Sequence, residues 1–509
     1  MVDSKDIILV GINSRYTHTS LGLRYLYANL KEIQDSAKIL EFVINEEVQT
    51  LAEKILQHSP KIVAIGVYIW NALDVYKLIE VIKKVSPDTK VIIGGPEVSY
   101  TPHRVDFSKA DFIIQGEGEI TFYNLCRDIL DDRSQKQRTI RPIMPNLKDI
   151  ELPYRYYDKH DLAHRYVYVE ASRGCPFECE FCLSAIDEKV RAFDMDKLLD
   201  EFDDLWSRGA RNFKFIDRTF NINIKSANRL MDFFLAKDEP FSLHFEVIPD
   251  SFPEALRERI KQFPPAALQL EIGIQTLNPE ILNNINRRMN LQKVKENIAY
   301  LENETSAHLH LDLIIGLPGE SIESFGKNLD ELKKMSSCEI QIGILKKLSG
   351  TTLNRHDEIY GMVYSDIPPY DIVKNNLIAF SMLQKMKRFS RFWDLAYNSG
   401  NFRSSVDYIW GEGSVYEGFF AFSEWIYEQT DSTWQISLNR FSELIFNYLT
   451  IELGYDKTVI ADSIVSDIAK VRGRKIPGFL REWASHIPDL RDKKVSKHNK
   501  RQMMRVTQS

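Results

Sequence analysis

Between residues 6 and 135, short β-branched runs alternate with stretches in which apolar residues recur every three or four positions. The segments 6–12, 39–44, 62–68, 90–94 and 111–115 read as strands, and 21–33, 50–58, 72–85 and 120–131 as helices. Strands alternating with helices predict right-handed crossovers and an α/β, doubly wound parallel sheet of Rossmann-like form. Such sheets bind ligands beyond the carboxyl ends of their strands. The turns at those ends are specialised. The first is the long polar run Asn13-Ser14-Arg15-Tyr16-Thr17-His18-Thr19-Ser20-Leu21-Gly22, and another is Tyr68-Ile69-Trp70-Asn71. Two more are Gly-rich, Gly94-Gly95-Pro96-Glu97-Val98-Ser99 and Gly116-Glu117-Gly118-Glu119, which permits close backbone approach to a ligand. All four on one edge make a binding face.

A second βα series follows a proline-punctuated linker at 141–160. Strands are expected at 166–171, 212–217, 243–247, 268–274, 308–315 and 339–345, with helical periodicity at 194–206, 226–235, 252–262, 292–301 and 322–335. These βα units fit a partial (β/α)6 barrel over 161–355, again with its chemistry at the carboxyl strand ends. The first region is thereby bounded at 1–140. From about 365 the pattern becomes aromatic-rich helices without strands, clearest at 372–389, 419–429 and 439–453, which reads as a separate helical domain over 356–490. Residues 491–509 are polar and basic, and a solvated tail is favoured there over a nucleic-acid contact.

Composition narrows the class. A chain of 509 residues exceeds one ordinary core. The formal net charge of −6 gives no global electrostatic case for nucleic acid or an anionic membrane. No apolar run approaches the roughly 18 residues of a membrane-spanning helix, and the N-terminus has no signal-peptide pattern. The cytoplasm is the default compartment. Five cysteines argue against a secreted disulfide framework. Cys126 and Cys338 stand alone and read as small buried hydrophobes.

The other three lie in Ser172-Arg173-Gly174-Cys175-Pro176-Phe177-Glu178-Cys179-Glu180-Phe181-Cys182, directly after the first barrel strand. A structural zinc site needs a fourth ligand, and no local His or Cys supplies one. A redox dithiol would leave Cys175 unexplained. Three thiolates at Cys175, Cys179 and Cys182 suit three corners of a [4Fe–4S] cluster whose fourth iron stays open to chemistry.

This loop resembles the signature of the radical S-adenosylmethionine superfamily, down to the aromatic Phe181 before the last cysteine. The resemblance implies that the open iron chelates the methionine moiety of S-adenosylmethionine, and that one electron cleaves the sulfonium to give a 5′-deoxyadenosyl radical. It implies an electron donor such as flavodoxin or ferredoxin. It also places Phe181, Asp217, Glu246, Glu271 and Gln275 as S-adenosylmethionine contacts. Asp217-Arg218-Thr219-Phe220-Asn221 stands where the family often carries a Gly-rich acidic motif, but it lacks the two glycines. Ile314-Ile315-Gly316-Leu317-Pro318-Gly319-Glu320 is similar to the turn that shapes the adenine side.

A Rossmann-like domain ahead of such a barrel resembles the cobalamin-dependent branch of the superfamily. The resemblance implies a corrinoid between the two domains, met by His18, Ser20, Gly94, Gly95, Glu97, Ser99, Gly116, Glu117 and Gly118. The nearest match to the axial-histidine pattern D-x-H-x-x-G is Tyr16–Gly22, without the Asp and with the Gly one place late. A polar loop role or a corrin side-chain contact is favoured for His18 over axial ligation. The first turn has no G-x-G-x-x-G, which disfavours a dinucleotide.

The function implied first is a radical methyltransferase that moves a methyl group from methylcobalamin to an unactivated carbon of a small-molecule or peptide substrate. A cobalamin-dependent cyclase or rearrangement enzyme is the alternative, and a non-catalytic cobalamin or iron–sulfur carrier or sensor is the alternative of another class. A methylthiotransferase would need three further cysteines in the first domain, where only Cys126 stands.

Overall fold

A computed structural model describes residues 4–187, 189–470 and 474–488. The basic tail lies outside the described residues. The first sheet has strands β1 (Ile7–Asn13), β2 (Ala37–Val43), β3 (Ile62–Gly66), β4 (Lys90–Gly94), β5 (Phe112–Ile114) and β6 (Thr139–Ile140), in the order β2-β1-β3-β4-β5-β6. Every pairing is parallel, from Ile7 opposite Ala37 to Ile113 opposite Thr139. β1 is apolar from Ile7 to Ile12 because both of its faces are covered. Ile8, Val10 and Ile12 join the core on one face, and Ile7 and Leu9 join the core on the other. Helices Val48–Leu56 and Ala72–Val85 cover the first face, and Leu21–Ala28 and Glu119–Leu130 cover the second.

The segment expected as a linker adds β6 and then packs closely. Tyr154 and Tyr157 are fully buried in the core of the second sheet. A buried quartet of charges binds this segment to the first sheet. Arg24 reaches Glu41 at 2.8 Å and Asp161 at 2.6 Å, while Arg165 reaches the same two carboxylates at 2.8 and 3.1 Å.

The second sheet begins with β7 (Val167–Val169). A short antiparallel hairpin follows, β8 (Ser172–Arg173) with β9 (Arg191–Ala192). Then come β10 (Asn212–Phe215), β11 (Ser242–Val247), β12 (Leu268–Gln275), β13 (His308–Ile315) and β14 (Glu339–Ile344). The order is β14-β13-β12-β11-β10-β7, all parallel, an open barrel of six strands. Its two faces differ in chemistry. Positions such as Phe213, Leu243, Leu270 and Leu311 are buried in the core, whereas the alternate positions Tyr168, Lys214, His244, Glu246, Glu271, His310 and Asp312 are polar and only partly buried. The inner face is therefore a polar lumen rather than a packed core.

The C-terminal region differs from the sequence reading at its start. Residues 372–389 are expected as one helix, but β16 (Ile372–Lys374) pairs antiparallel with β15 (Val363–Tyr364), and the helix is Phe380–Trp393. Residues 372–374 are drawn into strand pairing instead, with Ile372 opposite Tyr364 and the Ile372 N–H donating to the Leu345 carbonyl at 2.8 Å. The helices that follow share the barrel's hydrophobic cluster: Phe389, Trp393 and Phe419 belong to the same continuous core as Leu311 and Ile340. They also close the edge of β14. The Ile340 carbonyl accepts from Trp393 Nε1 and Asn398 Nδ2, both at 2.9 Å, and the Ile340 N–H donates to Asn398 Oδ1 at 3.0 Å. Among the described residues, no helix is long and apolar enough to cross a membrane.

Candidate active site between the two sheets

The cysteine loop leaves the hairpin at Gly174, whose φ of +91° lies in the left-handed region. A Cβ there would stand 2.3 Å from the Lys189 carbonyl oxygen and 3.0 Å from that of Asp187, so only glycine fits. The Cys175 N–H donates to the Asp187 carbonyl at 2.9 Å, and the Cys182 N–H closes a turn onto the Cys179 carbonyl at 3.0 Å. Glu180 pins the loop to the barrel. Its N–H donates to Ile285, and its carboxylate takes His356 Nε2 at 2.7 Å and Arg355 Nε at 2.8 Å.

All three thiols line one cavity, and none forms a disulfide. Burial pushes the Cys175 and Cys179 thiols up, and at Cys179 the Arg287 guanidinium, 3.4 Å from Sγ, pulls the other way. Among the described residues, the cavity lining holds no histidine and no further cysteine. A donor set of three thiols and nothing else of that kind fits three corners of a [4Fe–4S] cluster, with one iron left open. Cys126 and Cys338 lie elsewhere, buried in apolar core, and burial pushes the Cys338 thiol to about 12.

The same cavity, about 850 Å³ with its open mouth included, brings together Phe181, Glu246, Glu271 and Gln275. Glu246, at the end of β11, pairs with Arg218 at 3.0 and 3.1 Å. Glu271 sits opposite it in register on β12. Burial works to raise the Glu271 carboxyl, yet His244, with Nε2 2.8 Å away, and the nearby Lys214 and His310 hold it at about 2. A bulge at the end of β12, with Gln275 at φ +72°, turns that side chain beside Gly273.

Asp217 behaves differently from the expectation of an S-adenosylmethionine contact. It is buried and does not line the cavity. One oxygen accepts the Ala171 N–H at 2.9 Å and the other the Ser172 hydroxyl at 2.6 Å. Burial raises its carboxyl to about 7. Its place is beneath the start of the hairpin that carries the cysteines. The Gly316–Glu320 turn is likewise absent from the cavity lining. The Glu320 carboxylate, raised to about 7 by burial, instead gathers Thr276 at 2.6 Å and Asn328 at 2.8 Å.

The carboxyl ends of the first sheet face those of the second across a cleft. It has two adjoining lobes of about 1290 and 1650 Å³, open mouths included. Gly94, Gly95, Gly116, Glu117 and Gly118 line one lobe. His18, Ser20 and again Glu117 line the other, with the stacked pair Tyr68 and Trp70, whose ring centroids are 4.5 Å apart. A Cβ on Gly116 would meet nothing within 4 Å, which leaves that turn open to a large ligand. A cleft of this size, walled by glycine turns, fits a corrinoid.

Two expected corrinoid contacts do not line the cleft. The Ser99 hydroxyl donates to the Gly95 carbonyl at 2.8 Å and accepts the Gly116 N–H at 3.0 Å, tying the two Gly-rich turns together. Glu97 is buried and accepts the Tyr370 hydroxyl, joining the first sheet to the C-terminal region. His18 shares a hydrogen bond between Nδ1 and the Tyr168 hydroxyl. Burial and the charges of Lys214, Arg15 and Arg165 lower its pKa to about 4, so the imidazole is neutral at neutral pH.

Four functional residues escaped the sequence reading. Arg173, next to Gly174, reaches Glu117 at 2.9 Å, Glu119 at 2.8 Å and Glu170 at 2.9 Å. It fastens a turn of the first sheet to the cysteine hairpin. Arg218 lines the cysteine cavity and both lobes of the cleft, so it stands where the two sites meet. Asp312 and Arg287 complete the cavity wall. Burial, with Glu271 and Glu246 nearby, pushes the Asp312 carboxyl well up. The signal for Asp312 is in β13 itself, where His308, His310 and Asp312 alternate with leucines.

Comparison with known proteins agrees with this arrangement. Residues 7–126 match the model of the B12 binding domain, and residues 169–332 that of the radical SAM superfamily. Residues 358–508 match a family described as a protein of unknown function, DUF4080. An uncharacterized methyltransferase of Pyrococcus horikoshii is 26% identical over 371 residues, which cover 66% of this chain and 78% of that one. The cobalamin-dependent radical SAM methyltransferase TokK of Streptomyces tokunonensis is 26% identical over 62% of this chain, and the match spans about half of it (51%). The solved structure of the radical S-adenosylmethionine methyltransferase TsrM of Kitasatospora setae, with cobalamin and a [4Fe–4S] cluster bound, superposes with a TM-score of 0.57 at 14% identity. It covers 72% of this chain and 78% of that one, which establishes a shared fold. The chain thus combines a B12 binding domain with a radical SAM domain that carries three cysteines, the two facing each other across one cleft.

Proposed function

We propose that the protein is a cobalamin-dependent radical S-adenosylmethionine methyltransferase that alkylates an unactivated carbon of a small-molecule or peptide substrate. Bound to this chain, the cluster, S-adenosylmethionine and cobalamin would together supply radical hydrogen abstraction and a transferable methyl group. Cys175, Cys179 and Cys182 would hold the cluster. Phe181, Glu246, Glu271 and Gln275 would seat S-adenosylmethionine, with the carboxylates available to its ammonium and ribose hydroxyls. His18, Ser20 and the turns at Gly94, Gly95 and Gly116–Gly118 would meet the corrinoid. Arg287 would neutralise thiolate charge at Cys179, and the pair Arg218–Glu246 would orient groups where the two cofactor sites adjoin. Asp217 would act at one remove, by holding the start of the hairpin. A reducing partner such as flavodoxin or ferredoxin would deliver the electron.

The observation that carries this reading is the juxtaposition: Arg218 lines the cavity of the three thiols and both lobes of the glycine-walled cleft. The relatives described as methyltransferases favour methyl transfer over cyclisation. The test is anaerobic reconstitution with iron, sulfide and hydroxocobalamin, followed by reduction with S-adenosylmethionine present. About four irons and about one corrinoid per chain are expected, with 5′-deoxyadenosine and S-adenosylhomocysteine both formed. Formation of 5′-deoxyadenosine alone moves the assignment to the cyclase or rearrangement class. Turnover of neither moves it to a carrier or sensor.

A further inference from the structure

At the opposite end of the barrel strands from the cysteine loop, two imidazoles converge on one carboxylate. His308 Nε2 lies 3.1 Å from Glu339 Oε1, and His310 Nε2 lies 3.1 Å from Glu339 Oε2. The strand register sets His310 directly opposite Glu339, and His308 is two residues earlier on the same face, its ring centroid 4.8 Å from that of His310. All three donor atoms lie within 4.8 Å of one another. We propose that His308, His310 and Glu339 form a binding site for one divalent transition ion of the zinc class, separate from the iron–sulfur site.

The geometry and the donor chemistry both bear on this. Bonds of about 2.0–2.1 Å to a shared ion put neighbouring ligand atoms about 2.9–3.4 Å apart, from right-angled to tetrahedral coordination. The two nitrogen-to-oxygen distances of 3.1 Å fall inside that span. Two imidazoles and one carboxylate are a set that suits zinc and its neighbours and leaves a position for water. The Gln269 amide nitrogen lies 3.5 Å from His310 Nδ1, on the far side of that ring from Glu339. The site is also distinct in space. Asp312, which lines the cysteine cavity, is two residues beyond His310 and four beyond His308, about 7 and 13 Å along an extended strand. Leu309 and Leu311 face the core on the other side of the sheet, so the site opens into the polar lumen.

The experiment uses the full chain with its cluster reconstituted, exposed to zinc chloride and then passed through metal-free buffer. Zinc and iron per chain are read by mass spectrometry. About one zinc beside about four irons is expected. A His308→Ala/His310→Ala variant should lose at least nine-tenths of the zinc and keep its iron, which also reports that it has folded. A Cys175→Ala/Cys179→Ala/Cys182→Ala variant should lose the iron and keep the zinc. Iron-replete wild type without zinc overturns the proposal. So does zinc that survives the double histidine variant, or zinc that departs with the cysteines. If the histidine variant does not fold, Glu339→Gln supplies the same test: zinc lost with iron kept supports the site, and zinc kept overturns it.

Discussion

Replacing Arg173 by methionine should loosen the first sheet from the cysteine hairpin, and more so as the pH rises. The Arg173 side chain is only 12% exposed and meets three carboxylates at 2.8–2.9 Å. Glu117 keeps a partner in Arg191 when Arg173 is lost, but Glu119 and Glu170, each with a side chain 6% exposed, lose theirs. Removing one partner from a buried ionic group costs about 3–5 kcal/mol, chiefly because charge is left buried and unpaired. At about 2–4 °C per kcal/mol for a unit of 150–250 residues, the melting temperature should fall on the order of 10 °C. The sign of the pH effect follows from Glu170. Burial already raises its carboxyl above the ordinary value, and Arg173 opposes that shift. Without Arg173 the folded-state value rises further while the unfolded value stays ordinary. The folded variant then binds the proton more tightly than the unfolded chain, so its stability is retained at low pH and lost as pH rises through the raised value. Thermal unfolding of wild type and Arg173→Met at pH 6 and pH 8, followed by near-UV circular dichroism, measures both effects. A fall of less than about 2 °C, or an equal deficit at the two pH values, refutes the reasoning.

Gly174→Ala should yield protein with less than about half the wild-type iron after reconstitution. A left-handed non-glycine residue costs about 1–2 kcal/mol, and the added Cβ meets the Lys189 carbonyl at 2.3 Å. Asp217→Asn should gain on wild type by on the order of 2–4 kcal/mol between pH 4 and pH 8, read from urea midpoints, because a carboxyl raised to about 7 by burial loses folded-state stability as pH climbs towards that value and an amide does not. An unchanged difference across that range would dismiss the buried-acid account. Tyr370→Phe should cost about 1–3 kcal/mol by leaving the buried Glu97 carboxylate without the tyrosine hydroxyl, and the double variant with Glu97→Leu should recover part of that loss.

The fold was legible because both sheets are parallel and each strand's pattern reports what covers it. Strand β1, apolar from Ile7 to Ile12, is enclosed on two faces, and the helices between strands carry one apolar stripe each. The cysteine loop was legible because its donors are consecutive along the chain. What stayed hidden depends on contacts distant in sequence. Asp217 stands at a strand end where a ligand contact is expected, yet its hydrogen bonds go to Ala171 and Ser172, 46 and 45 residues away. Glu97 sits in a Gly-rich turn but answers to Tyr370, 273 residues on. The polarity of the barrel's inner face was written in β13 as His308, Leu309, His310, Leu311, Asp312, but alternation alone does not say whether the polar side meets solvent or a lumen. The end of the supposed helix at 372 was fixed by pairing with Val363 and Tyr364, which no local periodicity reveals.

The placement of Arg173 also ties the two domains together beside the cysteine loop. Gly174 and Cys175 follow it immediately, so the guanidinium fixes the point at which the cysteine loop departs. Two of its three carboxylate partners, Glu117 and Glu119, belong to the glycine turn after β5, and only Glu170 comes from the barrel. The barrel alone therefore lacks most of the counter-charge for the residue that anchors its own cysteine loop. Glu117 in turn accepts Arg191, the β9 residue paired with Arg173 across the hairpin, so both strands of that hairpin are held by one turn of the first sheet. That turn also lines both lobes of the cleft proposed for the corrinoid. A ligand pressing on Gly116–Gly118 would thus bear on the same carboxylate that positions the hairpin, so a continuous run of ionic contacts joins the wall of the cleft to the base of the cysteine loop.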